Sequence, residues 1–88
     1  QRFPLPESGA LALGKAVSGP GTLVITSDPT VSSRHAEIRR LGSDYYFSDL
    51  GSTNGSYIND NRVTAPTRLS HGDLIRIGTG TECRFLLE

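Results

Sequence analysis

An antiparallel β-sandwich is the all-β fold class that this sequence predicts. Three observations carry the prediction. Apolar and β-branched residues fall in short runs such as Thr22–Thr26, Tyr45–Asp49 and Leu74–Ile77. Turn-formers separate those runs, with ten glycines and five prolines among 88 residues. No stretch keeps a helical period before a Gly, a Pro or an Asn-Asp pair interrupts it. Short strands at regular spacing build a sandwich whose connecting loops gather at its two ends.

The elements follow in order. Residues 1–9 contain Pro4 and Pro6 and read as an extended lead-in or an edge strand. Leu11-Ala12-Leu13 is a short strand punctuated by Gly14. Ser18-Gly19-Pro20-Gly21 is a turn, and Thr22–Thr26 is a β-branched strand. Asp28-Pro29 opens a loop that carries Ser32-Ser33-Arg34-His35. Ala36–Leu41 and Tyr45–Asp49 flank the turn Gly42-Ser43-Asp44 as a hairpin. A second polar cluster, Asp49-Leu50-Gly51-Ser52-Thr53-Asn54-Gly55, follows. Ser56–Ile58 is a strand closed by Asn59-Asp60-Asn61, and Arg62-Val63 is a short strand. Ser70–Asp73 turns into Leu74–Ile77, Thr79–Thr81 turns again, and Cys83–Leu87 is an apolar final strand. All 88 residues are read as one domain, and a start at Gln1 reads as a piece of a longer protein.

Composition narrows the function. Nine basic residues balance nine acidic ones, which argues against a nucleic-acid binder, since those carry a basic excess. No apolar run reaches the length of a membrane span, so no direct membrane insertion is expected. Cys83 is the single cysteine, so no disulfide closes within the chain, and a reducing, cytoplasmic compartment is the expected setting. His35, His71 and Cys83 lack metal-ligand spacing, and no cofactor motif is present. Nothing in the chain calls for a second copy, and a monomeric domain is expected.

The two polar clusters carry the chemistry. Both sit on loops between strands, where polar groups are held by a rigid scaffold. A phosphorylated side chain offers a near-dianion with three acceptor oxygens. Ser32, Ser33 and Thr53 supply hydroxyls, Asn54 an amide, and Arg34 a planar fork if it points inward. Gly51 and Gly55 free main-chain N–H groups to face an anion. Taken alone, Ser32-Ser33 could be turn residues and Asn54-Gly55 a type I′ hairpin turn. Ser33, His35 and Asp49 suggest a hydrolytic triad, but Ser33 and His35 lie on one loop without a nucleophile-elbow context. A binding module is therefore expected, not an enzyme.

The same residues resemble the forkhead-associated (FHA) domain, a phosphothreonine-peptide binding family. The resemblance rests on Leu13-Gly14-Lys15, Val31–Ile38, Asp49–Ser56, Ile58-Asn59 and His71–Gly78, in that order and at family-like spacing. It implies that Ser32 and Ser33 contact the phosphate, that His35 braces the loop from beneath, and that Gly55 holds the turn. Thr53 and Asn54 would line the threonine pocket, with Asn54 bonding the peptide backbone. The implied partner is a phosphothreonine segment of another protein or of the parent chain.

One position departs from the family pattern. A Gly-Arg pair is expected where this chain has Gly14-Lys15. Lysine keeps the charge but loses the bidentate fork. Three consequences stay open: Lys15 acts as a weaker phosphate ligand, Arg34 compensates, or phosphate binding is degraded. The last leaves a phosphate-independent interaction or assembly module on the same scaffold.

Overall fold

The computed structural model describes residues 9–16, 22–25 and 28–86. The lead-in over 1–8, the turn at Ser18–Gly21, Thr26 and Leu87 lie outside them. Among the described residues every regular element is a strand. The order is β1 (Ala10–Gly14), β2 (Thr22–Val24), β3 (Ala36–Leu41), β4 (Asp44–Asp49), β5 (Ser56–Ile58), β6 (Asn61–Arg62), β7 (Thr67–Arg68), β8 (Leu74–Ile77) and β9 (Thr81–Arg84). One sheet runs β2-β1-β3-β4-β7, the other β6-β5-β8-β9.

Alternation along the strands sets what each sheet buries. Leu11, Leu13, Ala36, Ile38 and Phe47 point inward from the first sheet, and Ile58, Ile75 and Ile77 from the second. They form one cluster with Val31, Val63 and Leu69 from connecting segments. Burying such side chains contributes about 1.5–3 kcal/mol each, which makes the strand core the rigid base for the loops. Tyr45 and Phe85 close one margin, with ring centroids 5.4 Å apart.

The strands expected at Ala36–Leu41, Ser56–Ile58 and Leu74–Ile77 form with those bounds. Several details differ. The pair β1–β2 is parallel, the others being antiparallel. Parallel pairing brings Gly14 opposite Val24, so both strands end at the same edge of the sheet. The sixth strand begins at Asn61, not Arg62. Asn59 and Asp60 both have positive φ, 50° and 67°, and together make the two-residue turn between paired Ile58 and Asn61. Val63 leaves the strand and enters the core. Strand β7 was not foreseen, being two residues long beside Pro66. The last strand is Thr81–Arg84, not Cys83–Leu87. Register with β8 places Thr81 opposite Ile77, and Phe85 instead donates its N–H to the Asp73 carbonyl at 2.8 Å. Cys83 is half-buried, and that burial pushes its thiol up.

Candidate functional site

Strand register brings the two polar clusters together. Leu13, Ala36 and Asp49 stand side by side across β1, β3 and β4. The first cluster runs into Ala36 and the second leaves Asp49, so both emerge at one end of this sheet. In the other sheet Ser56 faces Ile77, which sets Gly55 beside the β8–β9 turn. The Gly55 carbonyl accepts the Gly78 N–H at 3.1 Å.

The Ser32–His35 loop is stapled to the end of β1. The Lys15 and Ala16 N–H groups donate to the Ser32 and Ser33 carbonyls at 3.0 Å each, and the His35 N–H donates to the Leu13 carbonyl at 2.9 Å. This approach requires glycine at position 14. A Cβ there would fall well inside contact with the Ser33 carbonyl oxygen and 3.1 Å from the His35 nitrogen. The glycine of the Gly14-Lys15 pair thus fixes the loop, while Lys15 itself is exposed beside Ser32.

His35 ties that loop to the second. It is fully buried. Its Nδ1 accepts the Ser32 N–H at 3.0 Å, so the other nitrogen carries the proton, and Nε2 donates to the Gly55 carbonyl at 2.8 Å. With both ring nitrogens committed to backbone, His35 cannot serve as a base for Ser33. Asp49 lies 3.9 Å from Nε2, and the suspected triad is absent. Gly55 itself adopts φ of 86°, a conformation that suits glycine. Asn54 is not among the positive-φ residues, so Asn54-Gly55 is not a type I′ hairpin turn.

Two further bonds cross between the loops. The Thr53 N–H donates to Ser32 Oγ at 3.0 Å, and Asn54 Nδ2 donates to the Thr30 carbonyl at 2.9 Å. Ser32 and Asn54 are therefore neighbours, as a composite site requires. Ser33, Arg34, Thr53 and Asn54 are exposed and Ser32 is half-buried.

Two aspartates hold the loops in shape. Asp49 Oδ1 accepts the Ser52 and Ser56 hydroxyls at 2.6 Å each, and Oδ2 accepts the Gly51 and Ser52 N–H groups. Partial burial pushes this carboxyl up. The Ser52 and Ser56 hydroxyls, the Ser52 N–H and nearby His35 outweigh it and hold the group below its ordinary value. Asp28 was read only as the start of a loop, yet it latches that loop to the β8–β9 turn. It accepts Thr30 Oγ1 and the Thr30 N–H on one oxygen, and Thr81 Oγ1 and the Gly80 N–H on the other. The Thr30 and Thr81 hydroxyls lead these donors in lowering the carboxyl from 3.8 to about 2. The spacing Asp28-Pro29-Thr30 is an Asx-turn pattern, which is the signal in the sequence for this brace.

Both folded-state values lie below the unfolded one. These carboxylates therefore stabilise the fold fully above the ordinary aspartate value, and that contribution is lost as pH falls through the depressed values. Between about pH 4 and about pH 2 the urea midpoint is expected to drop, and Asp28→Asn should flatten that drop while lowering stability at neutral pH. An acid profile unchanged in the variant would remove Asp28 from this role.

The ensemble is a donor-rich patch where two loops meet at the mouth of a β scaffold. Among the described residues no group of three His, Cys, Asp or Glu residues could hold a metal ion. No helix among them is long and apolar enough to cross a membrane.

Comparison with known proteins gives a consistent result. The family model described as FHA domain matches residues 12–78. The chain is 47% identical over 64 residues to the FHA domain-containing protein FhaB of Mycobacterium tuberculosis, a match covering 72% of this chain and 41% of that protein. The chain thus spans about two fifths of this curated relative. A solved structure described under phosphothreonine-dependent FHA domain interactions superposes with a TM-score of 0.78 at 32% identity, covering 94% of this chain and 81% of that one. Mycobacterium tuberculosis EmbR, solved with a low-affinity phosphopeptide, superposes with a TM-score of 0.77 at 29% identity, covering 89% of this chain and 20% of that one.

Proposed function

The chain belongs to the FHA domain family, and we propose that it is a non-enzymatic module that binds a phosphothreonine-bearing segment of a partner protein or of its own parent chain. The observation that carries this reading is the state of the Ser32 hydroxyl. Its oxygen accepts the Thr53 N–H across the loop junction at 3.0 Å. A hydroxyl that accepts in this way keeps its own proton to donate, and a phosphate oxygen is a fitting acceptor. Ser33 adds a second hydroxyl, and Lys15 and Arg34 add positive charge from the two stapled strands of chain. Asn54 uses one amide hydrogen on Thr30, leaving Oδ1 to accept a peptide N–H. Gly14, His35 and Gly55 hold the frame. A charge-assisted bond contributes about 1.5–3 kcal/mol, so a few suffice for micromolar affinity, about 8 kcal/mol, after association costs. The lone thiol of Cys83 suits a reducing, cytoplasmic setting.

Calorimetric titration with phosphothreonine peptides and their unphosphorylated twins tests the reading. The phosphorylated set should bind, and Ser32→Ala should weaken it by about 10- to 100-fold, the equivalent of one charge-assisted bond. Affinity should also fall as pH drops through about 6, where the phosphate takes its second proton. Equal binding of both peptide sets would sink the proposal.

Gly14-Lys15 supports a second reading. A lysine ammonium is a point charge without the fork of an arginine, which suits a phosphate-independent interaction module. In that case partner binding survives both phosphatase treatment and Ser32→Ala.

A further inference from the structure

Of the nine Lys and Arg residues in the chain, eight are arginine and one is Lys15. The single lysine side chain thus stands at the proposed phosphate site, where the family pattern expects an arginine. Its N–H donates to the Ser32 carbonyl at 3.0 Å, so its side chain starts alongside Ser32. It is exposed, and among the described residues it pairs with no carboxylate. Arg39, Arg68 and Arg76 each have an acidic partner. A lysine on its flexible four-carbon stem differs from a guanidinium in one chemical respect: its amine can act as a nucleophile.

The acyl donor that fits this site is an acyl phosphate. Its phosphoryl group carries three terminal oxygens, as a phosphothreonine does. The same donors would hold them: the Ser32 hydroxyl, whose oxygen is anchored by the Thr53 N–H, with Ser33 and Arg34 on that loop. The acyl carbon then takes the place of the threonine side-chain carbon, within the sweep of Lys15. Holding amine and acyl carbon together lowers the barrier by proximity. The donors also stabilise the negative charge that builds on the departing phosphate.

We propose that the site acylates its own Lys15 from a small acyl phosphate, and that this modification turns phosphopeptide binding down. In the step, the Nζ lone pair forms an amide bond to the acyl carbon. The bond from that carbon to the bridging oxygen breaks, its electron pair leaves on inorganic phosphate, and the amine proton passes to solvent. Lys15 is consumed, so the step is a modification and not turnover. The product amide is neutral, and the site loses the Lys15 charge while gaining bulk at its mouth. An arginine at position 15 would escape this chemistry. The inference rests on the phosphate-binding reading above.

The test incubates the protein with acetyl phosphate and follows acetylation of Lys15 by peptide mass mapping, with Nα-acetyl-lysine amide as the reference amine. Lys15 should react about 10- to 100-fold faster than the reference. With S-acetyl-N-acetylcysteamine, an acetyl thioester that lacks phosphate, the two amines should react alike. Excess inorganic phosphate should slow the acetyl phosphate reaction and spare the thioester reaction. Ser32→Ala should bring the acetyl phosphate rate down toward the reference. Acetylated protein should bind a phosphothreonine peptide about three- to tenfold more weakly than untreated protein. The affinity of Lys15→Arg, whatever its starting value, should be the same before and after treatment. A Lys15 rate no higher than the reference, matched by the thioester, or insensitive to inorganic phosphate overturns the self-acylation. Unchanged peptide affinity after acetylation overturns its role as a switch. In each of these cases phosphate-dependent peptide binding stands. Equal binding of phosphorylated and unphosphorylated peptides by untreated protein overturns the earlier reading and this one with it.

Discussion

Replacing His35 with alanine is expected to destabilise the domain by about 3–5 kcal/mol and to abolish phosphopeptide binding even where the fold survives. The imidazole is fully buried, so its removal leaves a cavity between the two sheets' ends. It also strands the Ser32 N–H and leaves the Gly55 carbonyl with only the Gly78 N–H. A domain of this size has only about 5–15 kcal/mol of total stability and should sit toward the low end. Urea denaturation followed by tyrosine fluorescence measures the loss. His35→Gln, which keeps a donor and an acceptor on a flexible side chain, should cost less than alanine. A midpoint for His35→Ala within about 0.5 kcal/mol of the parent would mean that the ring is not the brace described here.

The second large effect is expected at Gly14. Alanine there drives a methyl into the Ser33 carbonyl and toward the His35 nitrogen. Both are backbone atoms in the stapled loop, so neither can swing aside as a side-chain tip would. Relief requires β1 and the loop to separate, stretching the Lys15, Ala16 and His35 backbone bonds that join them. The cost should be about 3 kcal/mol, the upper part of the range for overpacking. Because Ser32 rides on that loop, peptide affinity should fall further than stability alone explains. Gly42→Ala is the control: it is a positive-φ glycine with open space around its α-carbon. If Gly14→Ala loses no more stability than Gly42→Ala, the close approach is not what position 14 supplies.

Much of this was legible in the residues themselves. Alternation around Ile38 made Ala36–Leu41 readable, and Ile75-Arg76-Ile77 did the same for the strand at Leu74–Ile77, since inward and outward residues differ in polarity there. The turn at Asn59-Asp60 declared itself through residues that tolerate positive φ. Thr67–Arg68 was not readable, because two residues cannot display a period. The final strand was misplaced for a physical reason: apolar content drew it toward Phe85, whereas pairing to β8 set it at Thr81. At the site, the meeting of the two loops was expected and is seen, with Thr53 bonded to Ser32 and Asn54 to Thr30. The third contributor was missed. Asp28 and Thr30 act through bonds to Thr79, Gly80 and Thr81, about fifty positions along the chain. The Asp28-Pro29-Thr30 spacing marks the near half of this brace, but its far half at Thr79–Thr81 leaves no local pattern.

The bonds from Thr53 to Ser32 and from His35 to Gly55 join the two loops within the domain's own chain. Forming them is part of folding. Encounter should then run at the ordinary docking rate of about 10⁵–10⁷ M⁻¹s⁻¹, with partners differing mainly in how long they stay. For the binding proposed above, the lifetime of the complex is then governed by dissociation.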